Sequence, residues 1–467
     1  MDLTLGVDSG TQSTKVVVCD PAGAVIASGQ AAHSGACVQD PETWWRALMS
    51  SCRQIPEATR GRVRGMSVAA QQHGCVPLGA GAARPVVGPA RLWCDTTSAT
   101  EAERLNRITD FATEVGSRLV ASFTITKLAS MPEASASVCL PHDWLTWCLT
   151  GSFVTDRGDA SGTGWWSAGR GIRRDLLEIA GYRDLEVPFV VGPEEAAGTL
   201  LGAPAAELGL PAGITVAAGT GDNMATALGI GARVGEVIVS LGTSGTVFGV
   251  SENSTHDPDG IVAGFADATG RFLPLVCTSN CTVPVNVIAR WFGMSISEAL
   301  DRASGPSELT FLPYLRGERT PNLPQATGAM IGLAEATTPD DLLAAAVQGV
   351  AVGLADGLAA LEANGLRRPD SIRLVGGGAR HPTWGQALAD AAALPVDVVD
   401  GEDHTARGAA VQARAVVDGA TVRQMAEFWR PSAGAKMGPR RRPVPKIPHS
   451  ELRRALSPLW DAEHPGD

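Results

Sequence analysis

Two aspartates lie where the sequence could support acid–base or metal chemistry. Asp222 follows an apolar run and the turn Gly219-Thr220-Gly221, and the residues after it have a helical composition. A strand-to-helix turn exposes the residue at its tip, and neighbouring glycines allow a bulky substrate to come close. We therefore interpret Asp222 as a working acid. The alternative is an N-cap aspartate that only satisfies helix N–H groups.

Three glycine-rich turns follow apolar runs, at residues 8–15, 240–246 and 376–380. None has the GxGxxG pattern or the Walker pattern. Backbone N–H groups and hydroxyls of the first two turns could hold a polyphosphate, and the bare glycines of the third suit close approach of a nucleoside. Asp8, in the first turn, is placed to hold Mg²⁺ directly or through water. Two acids beside a phosphate clamp indicate phosphoryl transfer, in which one acid serves the metal and the other takes the acceptor's proton.

The first two turns belong to an internal repeat. A shift of 232 residues (239 minus 7) aligns Val7 with Val239, Gly10 with Gly242, Thr11 with Thr243 and Thr14 with Thr246. Ser240 takes the place of Asp8, so the acid occurs in the first copy alone. A period close to half the chain length indicates a duplication in which each half opens with the same β-hairpin. The sequence thus predicts two domains, residues 1–232 and 233–467.

Hydrophobic patterning predicts the elements that must position these turns. Helices are expected at residues 41–52, 97–107 and 342–362, the last long and apolar enough to be a central buried helix. A strand is expected at residues 62–74. In the second half, a strand, a triple glycine and an Ala-rich helix at residues 371–393 continue the alternation. This alternation predicts an α/β core.

Composition excludes several classes of partner. The net charge of −11 and an aromatic content of 5% argue against a nucleic-acid partner, since phosphate backbones need clustered Lys and Arg and single strands need stacking platforms. Nine cysteines without a paired CxxC predict free thiols in a reducing cytosol. We see no basic leader and no apolar run approaching membrane length, so we expect a cytoplasmic protein without membrane contact. The basic run at residues 440–442 is interpreted as a solvated face.

The ordered motifs together resemble the FGGY family of carbohydrate kinases, within the actin/hexokinase/Hsp70-like ATPases. The motifs are VDSGTQSTK, AAQQHG at 69–74, LWCD at 92–95, GTGDN at 219–223, SLGTSG, FLPYLRGERTP at 311–321 and VGGGAR. The likeness spans almost the whole chain and, within the family, is greatest to the xylulokinases. It implies two ribonuclease-H-like (actin/hexokinase-type) α/β domains with a central cleft.

The resemblance also implies an activity and a set of site residues. The activity is ATP- and Mg²⁺-dependent phosphorylation of a sugar primary hydroxyl, with D-xylulose giving D-xylulose 5-phosphate. Asp222 matches the catalytic base and Asp8 the metal-linked acid. The implied nucleotide contacts are Gly10, Thr11, Gly242, Thr243, Ser244, Gly245, Gly377, Gly378 and Ala379. The implied sugar contacts are Gln72, His73, Asp222 and Asn223.

Several alternatives stay open at this point. Another FGGY kinase would act on a different ketose, a polyol or gluconate. A non-catalytic sugar or nucleotide sensor on the same fold is a rival from another class, because fold alone does not establish function. Trp93 and Asp95 could line the sugar site or pack beneath it. The partners expected are the sugar and ATP, and a homodimer is one of the open assembly states.

Overall fold

A computed structural model of the chain describes residues 2–131, 135–440 and 447–461. The chain divides into two compact units. The first comprises residues 1–233, 251–273 and 401–431, and the second comprises residues 234–250, 274–400 and 432–467. Both units are therefore discontinuous in sequence. The two domains predicted from the sequence are its two halves, residues 1–232 and 233–467, and this division stays a prediction.

Short groups of strands alternate with short groups of helices along the chain. The strands are β1 (Leu3–Ser9), β2 (Ser13–Cys19), β3 (Val25–Ala32), β4 (Val38–Gln39), β5 (Val63–Ala70), β6 (Val76–Leu78), β7 (Ala90–Arg91), β8 (Ser137–Cys139), β9 (Val154–Asp156), β10 (Trp166–Ser167), β11 (Gly171–Ile172), β12 (Phe189–Val191), β13 (Ala196–Thr199), β14 (Thr215–Ala217), β15 (Thr220–Gly221), β16 (Val237–Leu241), β17 (Gly245–Gly249), β18 (Ala263–Ala266), β19 (Phe272–Thr278), β20 (Thr310–Leu312), β21 (Ala329–Ile331), β22 (Ile372–Val375), β23 (Val396–Val399) and β24 (Ala433–Met437). The helices are α1 (Glu42–Arg53), α2 (Glu57–Arg60), α3 (Ala99–Ile108), α4 (Phe111–Val115), α5 (Thr124–Ala129), α6 (Pro141–Thr150), α7 (Arg157–Ala160), α8 (Arg174–Ile179), α9 (Gly202–Leu208), α10 (Asp222–Gly229), α11 (Val283–Trp291), α12 (Ile296–Arg302), α13 (Pro339–Ala363), α14 (Pro382–Ala392), α15 (His404–Asp418), α16 (Val422–Phe428) and α17 (His449–Asp461). A 3-10 helix spans Gly377–Arg380.

The first unit is built on a mixed sheet with strand order β13-β14-β5-β1-β2-β3, and β15 continues beside β5. β1 pairs antiparallel with β2, with Val7 opposite Val16, and parallel with β5, with Val7 opposite Val68. These three valines are fully buried. β-branched residues suit a pleated sheet that is covered on both faces. The predicted meander that carries Asp8 is confirmed.

The second unit repeats this arrangement. Its strands follow the order β19-β17-β16-β22-β23-β24. β16 pairs antiparallel with β17 and parallel with β22. β22 pairs parallel with β23, and β23 antiparallel with β24. The repeat predicted the same β-hairpin at the start of each half, and β1–β2 and β16–β17 confirm it. Each hairpin also has a parallel neighbour on its first strand, β5 and β22 respectively.

Close helix packing in the first unit fixes the position of α10. A Cβ atom added at Gly408 of α15 would lie 1.7 Å from the carbonyl oxygen of Ala225 in α10, and one at Gly229 would lie 1.9 Å from that of His404. No side chain larger than hydrogen fits at either position without movement of the backbone. The two helices thus touch along their backbones, and Asp222 begins the helix that is held in this way.

The predicted central helix is confirmed as α13, 25 residues long, which begins with a capping box at Thr338. Among the described residues, α13 is a helix that is long and apolar enough to cross a membrane, judged by length and composition. The expectation that no apolar run approaches that length is therefore wrong for α13. Most of its apolar stretch is buried inside the structure, which is equally typical of the core helix of a water-soluble protein.

The expectation of free thiols is wrong for two of the nine cysteines. Cys37 and Cys94 form a disulfide, with their Cα atoms 5.4 Å apart. The antiparallel pairing of β4 with β7 brings them together, and Leu92 donates its N–H to the carbonyl of Cys37. The other seven cysteines are free. Of the predicted basic run, residues 441 and 442 lie outside the described residues.

Candidate functional site

Asp8 lies near the end of β1, opposite Lys15 of β2 and Ala69 of β5. Its side chain is half-buried. Burial, together with the negative charges of Asp222 and Asp403, raises the pKa of Asp8 to about 7, while Lys15 opposes this rise. The ammonium group of Lys15 is engaged with Asp403, the residue that precedes α15. The positive charge near Asp8 is therefore too small to offset its burial and the neighbouring carboxylates.

Asp222 is the first residue of α10, and Gly221 occupies the cap position before it. The alternative that Asp222 is the N-cap residue is therefore wrong. One carboxylate oxygen of Asp222 accepts hydrogen bonds from the backbone N–H and the side-chain amide of Asn223, both at 2.9 Å. Burial raises the pKa of Asp222 to about 6, although the bonds from Asn223 favour its charged form.

Gln72 joins this group through Asn223. The Asn223 amide donates to Gln72 Oε1 at 2.7 Å, so one amide nitrogen contacts both Gln72 and Asp222. A Cβ atom at Gly221 would lie 2.5 Å from Gln72 Cγ, so this approach requires the glycine. The structure thus brings three of the predicted sugar contacts, Gln72, Asp222 and Asn223, into one hydrogen-bonded cluster.

His73 adopts a left-handed backbone conformation with φ of 63°. Its ring is buried, stacks on Phe123 at 5.3 Å between centroids and packs against Phe265 at 4.9 Å. Its backbone N–H donates to Asp159 Oδ1 at 3.2 Å. The ring is therefore held by aromatic packing, and its backbone by a buried carboxylate.

The first glycine-rich turn is closed by a bond from Gly10 N to Ser13 O, 3.0 Å long. Thr11 Oγ1 donates to Gln71 and accepts from the indole of Trp93 at 3.0 Å. Asp95 accepts from Arg91 Nε at 2.6 Å and from Thr97, and these bonds lower its pKa although burial raises it. Trp93 thus touches the turn, whereas the carboxylate of Asp95 is occupied by its own neighbours.

The second unit contains a cavity of about 370 Å³ that brings its two glycine-rich turns together. Gly242 and Thr243 of one turn and Gly377 and Gly378 of the other line this cavity, and Trp384 lines it too. Ser244, Gly245 and Ala379 are absent from this lining, and Ala379 is buried. The turn at residues 242–245 is closed by Gly242 N donating to Ser244 O at 3.1 Å. Four of the seven predicted nucleotide contacts of this unit therefore face one concave space.

Family models match both halves of the chain. The model of the N-terminal domain of the FGGY family of carbohydrate kinases matches residues 3–229, and that of the C-terminal domain matches residues 237–416. The chain belongs to the FGGY family of carbohydrate kinases. The family and fold predicted from the motifs are confirmed, and this FGGY kinase is a sugar phosphotransferase with ATP as a substrate.

The relatives of this FGGY kinase cover nearly its whole length. It is 43% identical to the xylulose kinase of Streptomyces rubiginosus over 449 residues, which are 92% of each chain. It is 33% identical to the xylulose kinase of Escherichia coli (strain K12), over 85% of this chain and 87% of that one. The crystal structure of xylulose kinase from Bifidobacterium adolescentis matches with a TM-score of 0.79 at 33% identity, over 95% of this chain and 97% of that chain.

Sequence reasoning missed a buried group of charged residues in the FGGY kinase. His142 lies among Asp143, Asp156 and Asp159, and the side chains of all four are buried. None of the motifs described in the sequence contains any of these four residues. The pair of aspartates three residues apart, at 156 and 159, was the available signal, since such spacing brings both to one face of a helical turn.

Proposed function

We propose that this kinase transfers the γ-phosphoryl group of ATP to the primary hydroxyl of D-xylulose, giving D-xylulose 5-phosphate and ADP. The observation that carries the proposal is the cluster in which Asn223 bonds to both Asp222 and Gln72. A carboxylate and two amides offer donors and acceptors for the hydroxyls and carbonyl of a ketose. The xylulose kinases to which this chain is similar support the choice of sugar.

Asp222 is proposed as the general base. Its pKa of about 6 lies below neutral pH, so it is ionised there, yet it is raised enough to accept a proton effectively. As the hydroxyl oxygen forms its bond to the γ-phosphorus, the bond from that phosphorus to the oxygen of ADP breaks. The hydroxyl proton passes to the carboxylate of Asp222, which holds it until product release.

The phosphate and adenosine contacts are proposed from the family resemblance and the two glycine-rich turns. Gly10 and Thr11 in the first unit, and Gly242, Thr243, Ser244 and Gly245 in the second, would bind phosphate oxygens through N–H and hydroxyl groups. Gly377, Gly378 and Ala379 would accept the adenosine. The cavity beside Trp384 supports this assignment because it offers an apolar wall next to bare backbone.

Asp8 is proposed as the residue that holds Mg²⁺. Its half-buried carboxyl with a raised pKa fits a divalent cation, since such an ion would supply the positive charge that the site lacks. Within residues 2–131, 135–440 and 447–461, no three His, Cys, Asp or Glu side chains form a metal cage. This agrees with a magnesium ion held by one or two carboxylates together with water and substrate phosphates. When bound, the ion would neutralise charge that develops on the phosphates.

The setting of the enzyme is also proposed. We infer a cytoplasmic location because ATP and sugar are its expected partners, and we infer no nucleic-acid partner because the net charge is −11.

Product analysis tests the proposed reaction. Purified protein, ATP, Mg²⁺ and D-xylulose should yield one ADP for each phosphate ester, and NMR should place the ester on the primary C5 oxygen. Adding EDTA should stop the reaction. Release of inorganic phosphate without an ester would contradict the transfer, and an ester at another carbon would contradict the assignment of the acceptor hydroxyl.

A further inference from the structure

The buried charged group around His142 connects the two segments that carry the proposed sugar contacts. His142 lies in the first turn of α6, and its Nε2 atom is 3.2 Å from Asp143 Oδ1, 3.4 Å from Asp156 Oδ1 and 3.6 Å from Asp159 Oδ2. His142 and Asp159 have no exposed surface, and Asp143 and Asp156 have 1% and 3%. The proposed catalytic assignments use none of these four residues.

Three buried carboxyl groups so close together need a positive charge or added protons, and burial raises the pKa of Asp143 to about 6 and that of Asp159 well above its ordinary value. Isolated buried carboxylates are costly, and like charges at this distance repel one another. The imidazole of His142 is the ring that faces all three. Burial opposes its protonation, but Asp143, Asp156 and Asp159 outweigh burial and raise the pKa of His142 to about 9. At neutral pH the ring is therefore an imidazolium whose Nε2 edge faces the three acidic side chains.

Two of the carboxylates reach outwards to the sugar segments. Asp159 Oδ1 accepts the backbone N–H of His73 at 3.2 Å. Asp156 Oδ2 accepts the hydroxyl of Thr220, two residues before Asp222, at 2.7 Å. Each bond fixes a backbone segment whose side chains are proposed to contact the sugar.

His142 also touches the turn before Asp222 directly. A Cβ atom at Gly219 would lie 2.8 Å from His142 Nδ1, and Gly219 has a φ of 83°, which glycine tolerates best. The ring therefore fills the space beneath the turn that delivers Asp222. Movement of this ring would disturb the turn by contact as well as by charge.

We propose that His142, through its ion pairs with Asp156 and Asp159, is a positioning residue that holds the sugar-binding segment at residues 72–73 in register with the base at Asp222. The inference rests on the proposed function of that site. Loss of the cation leaves the three buried acidic groups without positive charge, so they shift or take up further protons, and the bonds to His73 and Thr220 loosen. Sugar-dependent steps should suffer, whereas nucleotide binding should not.

The first experiment replaces His142→Gln, which keeps a polar side chain of similar length without the positive charge. We expect kcat/KM for the sugar to fall by about 10-fold or more, with KM for ATP within about twofold of the parent. Adding Asp159→Asn should recover part of this loss, because it removes one negative charge and keeps an oxygen acceptor for His73. His449→Gln is the matched control, a buried histidine of the second unit whose pKa burial lowers to about 4, and it should leave both constants unchanged.

The outcomes separate positioning from a purely structural role. Equal losses in kcat/KM for sugar and ATP, or no recovery in the double variant, would overturn the proposal. A second measurement covers a variant that fails to fold: ¹⁵N NMR of the parent protein should show both ring nitrogens of His142 protonated at pH 7.5, and a neutral tautomer would overturn the proposal. Each assay uses the sugar with the highest kcat/KM in a panel of sugars. If the sugar assignment is wrong, the substrate in the assay changes, but the expected loss in kcat/KM for the sugar and the unchanged KM for ATP stay the same.

Discussion

Asp222 is the residue on which the chemistry depends. Its carboxylate contacts Asn223 and, through it, Gln72, so replacement by asparagine keeps shape and polarity while removing the ability to take a proton. We expect Asp222→Asn to lower kcat by about 10² to 10⁴, the usual contribution of a general base, and to leave sugar binding within a few-fold. Steady-state kinetics together with calorimetric sugar binding check this. A variant that kept a third of the parent kcat would refute the base role.

The raised pKa of Asp222 also predicts a pH dependence. A general base must be ionised, and its pKa has moved from an ordinary 3.8 to about 6. The value of kcat/KM for the sugar should therefore fall as pH drops below about 6, with a slope of one in the logarithm. The profile is measured at saturating MgATP. An acid limb near pH 4 would show that the group in control is an unperturbed carboxyl.

The sequence predicted which residues belong to the site better than it predicted the side chains that pack around them. Asp222, Asn223 and Gln72 were chosen from motifs, and the structure places them in contact. His73 was chosen as a sugar contact, and the structure holds its ring between Phe123 and Phe265. That packing depends on residues far apart in the chain, so no local sequence pattern predicts it. The role of His73 toward the sugar stays a prediction.

The contact between α10 and α15 depends on glycine. A Cβ atom at Gly408 would lie 1.7 Å from a backbone oxygen, whereas one at Gly353 in α13 meets nothing within 4 Å. We expect Gly408→Ala to lower the free energy of unfolding by about 1–3 kcal/mol or more through overpacking. The matched Gly353→Ala should be neutral or stabilising by up to about 1 kcal/mol, because alanine favours the helix. Denaturant unfolding of both variants checks this, and equal effects would contradict the packing argument.

The pairing of β4 with β7 has a chemical consequence. It brings Cys37 to Cys94, while the other seven cysteines are free. Protein purified without reductant should show seven reactive thiols after denaturation and nine after reduction. The Cys37→Ser variant should show eight before reduction, because Cys94 loses its partner. Nine thiols in the unreduced parent would contradict the pairing.

The elements themselves were largely predictable, and their small pairings were not. The hairpins, α1, α10 and α13 follow from periodicity over many residues. β4 and β7 have two residues each and come together across more than fifty positions, so neither length nor spacing signals them. For the same reason the cysteine pair was missed.

Along the whole chain, the repeat predicted the same β-hairpin at the start of each half, and the structure has both hairpins, β1–β2 and β16–β17. The sequence did not indicate that segments 251–273 and 401–431 belong to the first unit. Periodicity identifies an element but not its tertiary partner. The ion cluster of His142 was missed because its members come from α6, β9 and α7, and tertiary packing brings them together.

The most direct test of the account is a comparison of substrates. Purified protein is assayed for ATP-dependent ADP formation with D-xylulose, D-ribulose, glycerol and gluconate, with kcat/KM determined for each. The cluster of Gln72, Asp222 and Asn223 predicts the highest value for D-xylulose, because a sugar lacking a partner group leaves a buried donor or acceptor unpaired, at about 1–3 kcal/mol each. A higher kcat/KM for ribulose, glycerol or gluconate would contradict the D-xylulose assignment, and no turnover with any of the four would contradict the proposed sugar site.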